Sequence, residues 1–134
     1  MRVAVGIITD SDQNVLITRR PLNAQHGGFW EFPGGKLEVL ESPAAALIRE
    51  IKEEVGLQVI DYHYLGEVCH TYDKQAVSLL VYHVTAHEGE AVCLEHQMDL
   101  RWVDVDILSN FEFPAANHVI IEMIKDGIMS LNSD

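Results

Sequence analysis

The stretch GGKLEVLESPAAALIREIKEEVGL, residues 34–57, carries clear signals for the start and the end of a helix. Ser42 is a residue type favoured as the N-cap, and Pro43 suits the first helical position. Gly56 can adopt the left-handed conformation that commonly ends a helix. These signals predict a helix over residues 43–55.

Three glutamates break the usual electrostatic preferences of this helix. The helical period places four apolar residues on one side, which should face the sheet: Ala44, Ile48, Ile51 and Val55. Glu50, Glu53 and Glu54 fall roughly on the opposite side, where each like-charge pair costs about 0.2–0.5 kcal/mol. Acids in the last turn also oppose the helix dipole. A divalent cation would reverse both effects, and a solvated acidic face is the alternative explanation.

Composition restricts the class of protein. The 134 residues, 48% of them hydrophobic, are enough for one domain with its own core, expected over residues 1–130 with a frayed end at 131–134. The net charge of -12 opposes binding to polynucleotides or anionic lipid, so neither is an expected partner. Two cysteines without a CxxC motif exclude a four-thiolate zinc site. With no apolar run of membrane-spanning length, these features predict a cytoplasmic protein.

Outside the helix, β-branched and aromatic runs separated by turn residues predict strands. The runs at residues 3–8 and 15–18 predict a hairpin, with the turn at residues 9–14. The remaining expected elements are one short strand within residues 21–35, strands over 59–72, 76–87 and 100–103, one or two helical turns at 104–110, and a helix over 117–128. Together they predict an α/β (α+β) fold in which a mixed sheet lies between helices.

The acids belong to a longer pattern. Gly35, Glu41 and the run REIKEEVGL at residues 49–57 give G-x5-E-x7-R-E-U-x-E-E-x-G-U, where U is a bulky aliphatic residue. This pattern resembles the signature of the Nudix hydrolases, which split a nucleoside diphosphate linked to another group. The resemblance implies an α/β/α sandwich in which Glu50, Glu53 and Glu54 bind Mg²⁺, with Mn²⁺ as a substitute, and Arg49 holds the loop through ion pairs. Carboxylate oxygens suit Mg²⁺, which commonly bridges to substrate phosphates.

Further segments are similar to the MutT-type Nudix hydrolases, which act on oxidised purine nucleotides: AVGII (4–8), ITRR (17–20), EFPGGK (31–36) and FPAAN (113–117). The resemblance implies that the Gly34 carbonyl is a metal ligand and that Arg20 contacts substrate phosphate. It also implies that Phe32 and Asn117 line the base pocket. The rest of the predicted substrate-binding set is Gln25, Glu31 and Lys36.

Each of these assignments has a structural alternative. Asn117 could instead be the N-cap of the last helix, since asparagine is favoured there. Phe32 could belong to the core, and Arg20 could be a solvated charge at a strand end. At the position of Gln25 some MutT-type members have histidine, which leaves the contacts of this loop open.

Glu95, in the segment Leu94-Glu95-His96-Gln97, resembles the loop carboxylate that contributes to metal binding or proton abstraction in MutT-type enzymes. An exposed loop acid is the alternative. The predicted catalytic set is therefore Glu53, Glu50, Arg49 and Glu95, with Glu53 or Glu95 orienting or deprotonating the attacking water.

These observations predict Mg²⁺-dependent hydrolysis of a nucleoside triphosphate to the monophosphate and pyrophosphate, with 8-oxo-dGTP preferred. The alternatives are a pyrophosphohydrolase of CTP or oxidised pyrimidine nucleotides, an enzyme that cleaves a nucleotide sugar, and a Nudix-fold sensor that binds nucleotide without hydrolysis. The sequence leaves open whether the protein is a monomer or a homodimer.

Overall fold

A computed structural model of the chain describes residues 1–129, so the end predicted to fray at 131–134 lies outside the described residues. The elements are β1 (Arg2–Ile8), β2 (Asn14–Arg19), β3 (Trp30–Glu31), β4 (Gly34–Lys36), α1 (Pro43–Val55), β5 (Gln58–Tyr72), β6 (Gln75–Glu88), β7 (Asp99–Asp104), a 3-10 helix (Val105–Asn110) and α2 (Ala115–Met123), which continues as a π-helical segment (Ile124–Met129). Within the described part, no helix is both long and apolar enough to cross a membrane.

The strands form two sheets rather than the one sheet expected. The four-stranded sheet has the order β4-β1-β6-β5 and is mixed, because β1 is parallel to β6 and antiparallel to β4. The three-stranded sheet has the order β3-β2-β7 and is antiparallel. Residues 21–35 contribute to both sheets, through β3 and the start of β4, where the sequence predicted one short strand.

The predicted hairpin of the first two strands is wrong. After a single bridge between Thr9 and Val15, β1 and β2 diverge into different sheets. Each is an interior strand of its own sheet with a partner on both edges, and both are therefore buried along most of their length. The sequence pattern identifies such strands but contains no information on their distant partners.

Helices cover both sides of the sheets, which confirms the predicted α/β/α architecture. On β1, Ala4 and Ile8 pack toward α1, whereas Val5 and Ile7 belong to the core that includes α2. This alternation follows from the two-residue period of a strand. Gly6 lies between Ala4 and Ile8 on the same side of β1 and lets α1 approach closely, since a Cβ atom there would lie 2.7 Å from Cδ1 of Ile51.

The ends of α1 are as predicted, but its buried side is predicted only in part. Ser42 accepts a hydrogen bond from the Ala45 amide at 3.2 Å, and Gly56 ends the helix with φ 75°. The fully buried residues are Ala46, Leu47, Ile51 and Val55, while Ala44 and Ile48 are only partly buried. The buried arc is rotated because β4 also packs on α1, in addition to the sheet. This rotation brings Glu50 and Glu54 toward β4.

Candidate active site

Two glycines allow β4 to pass closely between β1 and α1. Gly34 has φ 155°, and a Cβ atom there would collide with the Ala4 carbonyl of β1. A Cβ atom at Gly35 would collide with the carboxylate of Glu50. The absence of side chains at these two positions therefore lets the acidic side of α1 lie directly on the β4 backbone.

Arg49 connects three carboxylates and the backbone after β4. Its guanidinium donates to both carboxylate oxygens of Glu41, at 2.7 and 2.8 Å, and to Glu50 at 2.7 Å. It also donates to Glu53 and to the Lys36 carbonyl, at 3.2 and 3.1 Å. The hydrogen bonds from Arg49 lower the pKa of Glu41 to about 2. The ion pairs expected between Arg49 and its loop are present, and they fix the loop to α1.

Among residues 1–129, Glu54 has no such cationic partner. Its carboxylate accepts a hydrogen bond from the Gly34 amide at 3.2 Å. Burial, followed by the negative charge of Glu31, raises the pKa of Glu54 to about 9. Glu50 and Glu95 raise this pKa further. In the absence of a cation, Glu54 is therefore a carboxylic acid at neutral pH.

The three helix glutamates do not share one exposed face, as the alternative of a solvated acidic face would require. The Glu53 side chain is 51% exposed, whereas that of Glu50 is 16% exposed. Burial raises the pKa of Glu50, and the hydrogen bond from Arg49 opposes that shift. Glu50 and Glu54 face the β4 loop because the buried arc of α1 extends over that side. A merely solvated acidic face would not show this burial.

The chemistry of the donors fits a hard divalent cation. Carboxylate oxygens are the ligands that Mg²⁺ prefers, and a cation would favour the charged form of the buried acids. Among residues 1–129, no three acidic, histidine or cysteine side chains already converge as a metal-binding group. Arg49 binds one oxygen of Glu50 and one oxygen of Glu53, which leaves the second oxygen of each carboxylate without a hydrogen bond from Arg49.

Glu95 lies on the exposed loop between β6 and β7. Its charge raises the pKa values of both Glu50 and Glu54, so the loop brings this acid toward the helix glutamates. The structure thus brings all four predicted carboxylates into one region, which we call the carboxylate cluster: Glu50, Glu53, Glu54 and Glu95.

A cavity of about 240 Å³ lies beside the carboxylate cluster. Six of the predicted site residues line it: Arg20, Gln25, Glu31, Phe32, Gly34 and Asn117. Lys36 does not; its side chain is exposed at the end of β4, and its carbonyl binds Arg49. The lining also includes Tyr72 and Gln75, at the turn between β5 and β6, which the sequence analysis missed. No sequence signal indicates them, because only the sheet pairing brings this turn to the cavity.

Arg20 is not a free solvated charge. Its guanidinium donates to Glu31 at 2.9 Å and to the Gln25 carbonyl at 2.7 Å. Burial raises the pKa of Glu31, and the charge of Arg20 opposes this shift. Arg20 therefore stabilises the charged form of Glu31 at the wall of the cavity. A phosphate bound to Arg20 would compete with Glu31 for the guanidinium.

Phe32 and Asn117 form part of the cavity wall. The Phe32 ring stacks on the buried ring of Phe113, with centroids 5.1 Å apart and an interplanar angle of 21°. Asn117 is not the helix N-cap, because α2 begins at Ala115 with Pro114 in that position. The Asn117 side chain makes no hydrogen bond with any residue in the described range, so its amide is available to a ligand.

Comparison with known proteins agrees with this geometry. The family described as "NUDIX domain" matches residues 4–123. The chain is 43% identical to an 8-oxo-dGTP diphosphatase of Proteus vulgaris over 90 residues, 67% of this chain and 80% of the relative. It is 30% identical to a CTP pyrophosphohydrolase of Escherichia coli, over 88% of this chain and 87% of the relative. A solved structure from a study of MutT of Aliivibrio salmonicida and Vibrio cholerae is 37% identical, has a TM-score of 0.80, and matches over 92% of this chain and 97% of its own.

Proposed function

Because this chain belongs to the Nudix hydrolases, we propose that it converts a nucleoside triphosphate to the monophosphate and pyrophosphate with Mg²⁺, and that 8-oxo-dGTP is the preferred substrate. The observation that carries the proposal is that Gly34, a residue of the cavity wall, is hydrogen-bonded to Glu54 of the carboxylate cluster. Gly34 lines the cavity and donates its amide to Glu54, and Glu31 lines the cavity and raises the pKa of Glu54. A base in the cavity would therefore have its phosphates beside the acids.

In this proposal the four carboxylates of the cluster and the Gly34 carbonyl hold Mg²⁺, or Mn²⁺ in its place. When bound, the cation polarises phosphoryl oxygens, neutralises their charge and lowers the pKa of a bound water. The chain itself contributes Arg49, whose hydrogen bonds restrict the Glu50 and Glu53 side chains, and Glu54, whose proton leaves when a cation binds.

Glu53 or Glu95 is the proposed base that orients or deprotonates the attacking water. Glu53 is half exposed, so water can reach it, and Arg49 holds one of its oxygens at 3.2 Å. Glu95 is exposed on its loop and near the helix acids. Either carboxylate can act directly or through one ordered water.

Base selection is assigned to Asn117 and Phe32. The Asn117 amide offers one acceptor and two donor hydrogens, and within residues 1–129 none of these is used. The oxidised purine carries a hydrogen on N7 next to a carbonyl oxygen, and an amide can match this N–H and carbonyl with a pair of hydrogen bonds. Guanine lacks that N–H, so it would leave a polar atom unpaired, which such sites reject strongly.

A pyrophosphate-release assay tests the proposal. Wild-type protein in Mg²⁺ is compared by kcat/KM on 8-oxo-dGTP, dGTP and CTP through pyrophosphate release, and on ADP-ribose through release of AMP, with 8-oxo-dGTP expected to rank first. We expect Glu53→Gln to lower kcat more than about tenfold, equivalent to more than ~1.4 kcal/mol in the barrier. Glu122→Gln, an exposed acid on α2, is the matched control and should retain full activity. A Glu53 variant within tenfold of wild type would contradict the role assigned to Glu53.

The CTP pyrophosphohydrolase relative supports a second candidate, because its similarity extends over most of both chains. A higher kcat/KM for CTP than for 8-oxo-dGTP would replace the base assignment while leaving the hydrolase assignment intact. Tight nucleotide binding with no pyrophosphate release in Mg²⁺ would instead favour a sensor and would contradict both candidates.

A further inference from the structure

The loop that carries Glu95 is attached to the last turn of α1. Backbone amides of Val92 and Leu94 donate to the carbonyls of Val55 and Glu54, each at 3.0 Å. The last carbonyls of a helix lack partners within the helix, so these bonds satisfy groups that would otherwise need water. The loop thus crosses the end of α1 next to Glu54, whose side chain belongs to the carboxylate cluster.

Gln97 adds a second attachment, and both ends of its amide take part. Its Oε1 accepts a hydrogen bond from the Glu95 backbone amide at 2.8 Å. Its Nε2 donates to the Glu54 carbonyl at 3.0 Å. His96, between the two, has φ 64°, a left-handed conformation that turns the chain so that Gln97 reaches back to Glu95. A partly buried side chain thus joins the backbone of one acid to the backbone of another.

We propose that Gln97 is a positioning residue that holds Glu95 at the carboxylate cluster. The inference rests on the proposed function, in which Glu95 takes part in catalysis. The loop places Glu95 near the last turn of α1, where its negative charge and that of Glu50 repel each other. The two hydrogen bonds of Gln97 oppose that repulsion. Only an uncharged amide of this length both donates to a carbonyl and accepts from an amide at these positions.

Hydrogen exchange tests the positioning without metal or substrate. In EDTA, Gln97→Met, which keeps the size of the side chain without its hydrogen bonds, should speed exchange of the Glu95 amide about tenfold. Gln58→Met is the matched control, because Gln58 is exposed on β5 and its side chain makes a single long bond of 3.4 Å to Val59. It should leave the Glu95 amide unchanged. Unaltered exchange in Gln97→Met would overturn the proposal.

A double-mutant cycle with Glu95→Gln tests whether Gln97 acts through Glu95. Gln97→Met alone should lower kcat about tenfold while the KM for nucleotide stays within twofold. In the Glu95→Gln background the same change should have no further effect on kcat. Independent, multiplicative losses would show a general structural role and overturn the proposal. A wild-type protein that hydrolyses no nucleotide would refute the proposed function, and the exchange experiment would still decide whether Gln97 restrains Glu95.

Discussion

Replacing Glu54 with glutamine should remove a pH dependence from the stability of the metal-free protein. In the folded state burial and the charge of Glu31 raise the pKa of Glu54 to about 9, from an ordinary value of 4.5. Between these two pKa values the folded protein binds one more proton than the unfolded chain. The contribution of Glu54 is therefore most favourable at low pH, and stability is lost as the pH rises from 4.5 toward 9.

The size of the effect follows from the proton count. One extra proton bound in the folded state gives a slope of about 1.4 kcal/mol per pH unit. Urea unfolding in EDTA at pH 7 and pH 8 should show wild type losing about 1.4 kcal/mol more than Glu54→Gln between these two pH values. This pH interval lies above the range in which His83 changes its protonation on unfolding, because burial lowers the pKa of His83 from 6.5. Glutamine can still accept the hydrogen bond from Gly34.

The matched control is Glu122→Gln, which removes an exposed acid from α2 and should keep the wild-type slope. Saturating Mn²⁺ should flatten the slope of wild type, because a bound cation favours the ionised form of Glu54 in the folded state. Equal slopes for wild type and Glu54→Gln in EDTA would refute the reasoning, since they would mean that Glu54 is ionised at neutral pH without a cation.

Three further substitutions test other contacts. Gly35→Ala places a methyl group against the Glu50 carboxylate and should lower kcat/KM for nucleotide about a hundredfold; an effect below tenfold in the pyrophosphate assay would show that Glu50 can move freely. Tyr72→Phe removes the hydroxyl that accepts from the Ala116 amide at 3.1 Å, and urea unfolding should show a loss of about 1 kcal/mol. Leu40→Asn should raise the free energy of unfolding by about 1 kcal/mol, because Leu40 is fully exposed with φ 66° and asparagine tolerates that conformation; a loss of stability would contradict this.

The parts of the fold that depend on neighbouring residues were predictable. Ser42 and Gly56 determine the ends of α1, and both perform the capping roles predicted from residue type. The pairing of β1 and β2 was not predictable, because turn residues at 9–14 indicate a reversal of the chain but not which strands flank it. Here the partners of β1 are β4 and β6, the second of them more than seventy residues away in sequence.

Helical periodicity placed the acids on α1 but misjudged which of them are buried. Of the predicted stripe, Ile51 and Val55 are buried, whereas Ala44 and Ile48 are only partly buried. Leu47 is buried instead, and Glu54 accepts a hydrogen bond from Gly34 of β4. A periodicity argument assumes one packing partner, and α1 has two. The resemblance to a family identified six of the residues that line the cavity. It did not identify Gln97, whose importance depends on two hydrogen bonds that only the folded loop creates.

The distribution of positive charge distinguishes a metal site from an ordinary acidic face. Arg49 forms ion pairs with Glu41, Glu50 and Glu53, whereas Glu54 is buried and forms no ion pair with any cation among residues 1–129. On a solvated face each acid would be hydrated, and removing any one of them would change stability little. In this protein, loss of Arg49 should loosen the loop, whereas loss of the Glu54 carboxylate should stabilise the metal-free fold above neutral pH. A uniformly solvated face would give neither effect, so opposite signs from Arg49 and Glu54 would show that these acids lie in unequal environments.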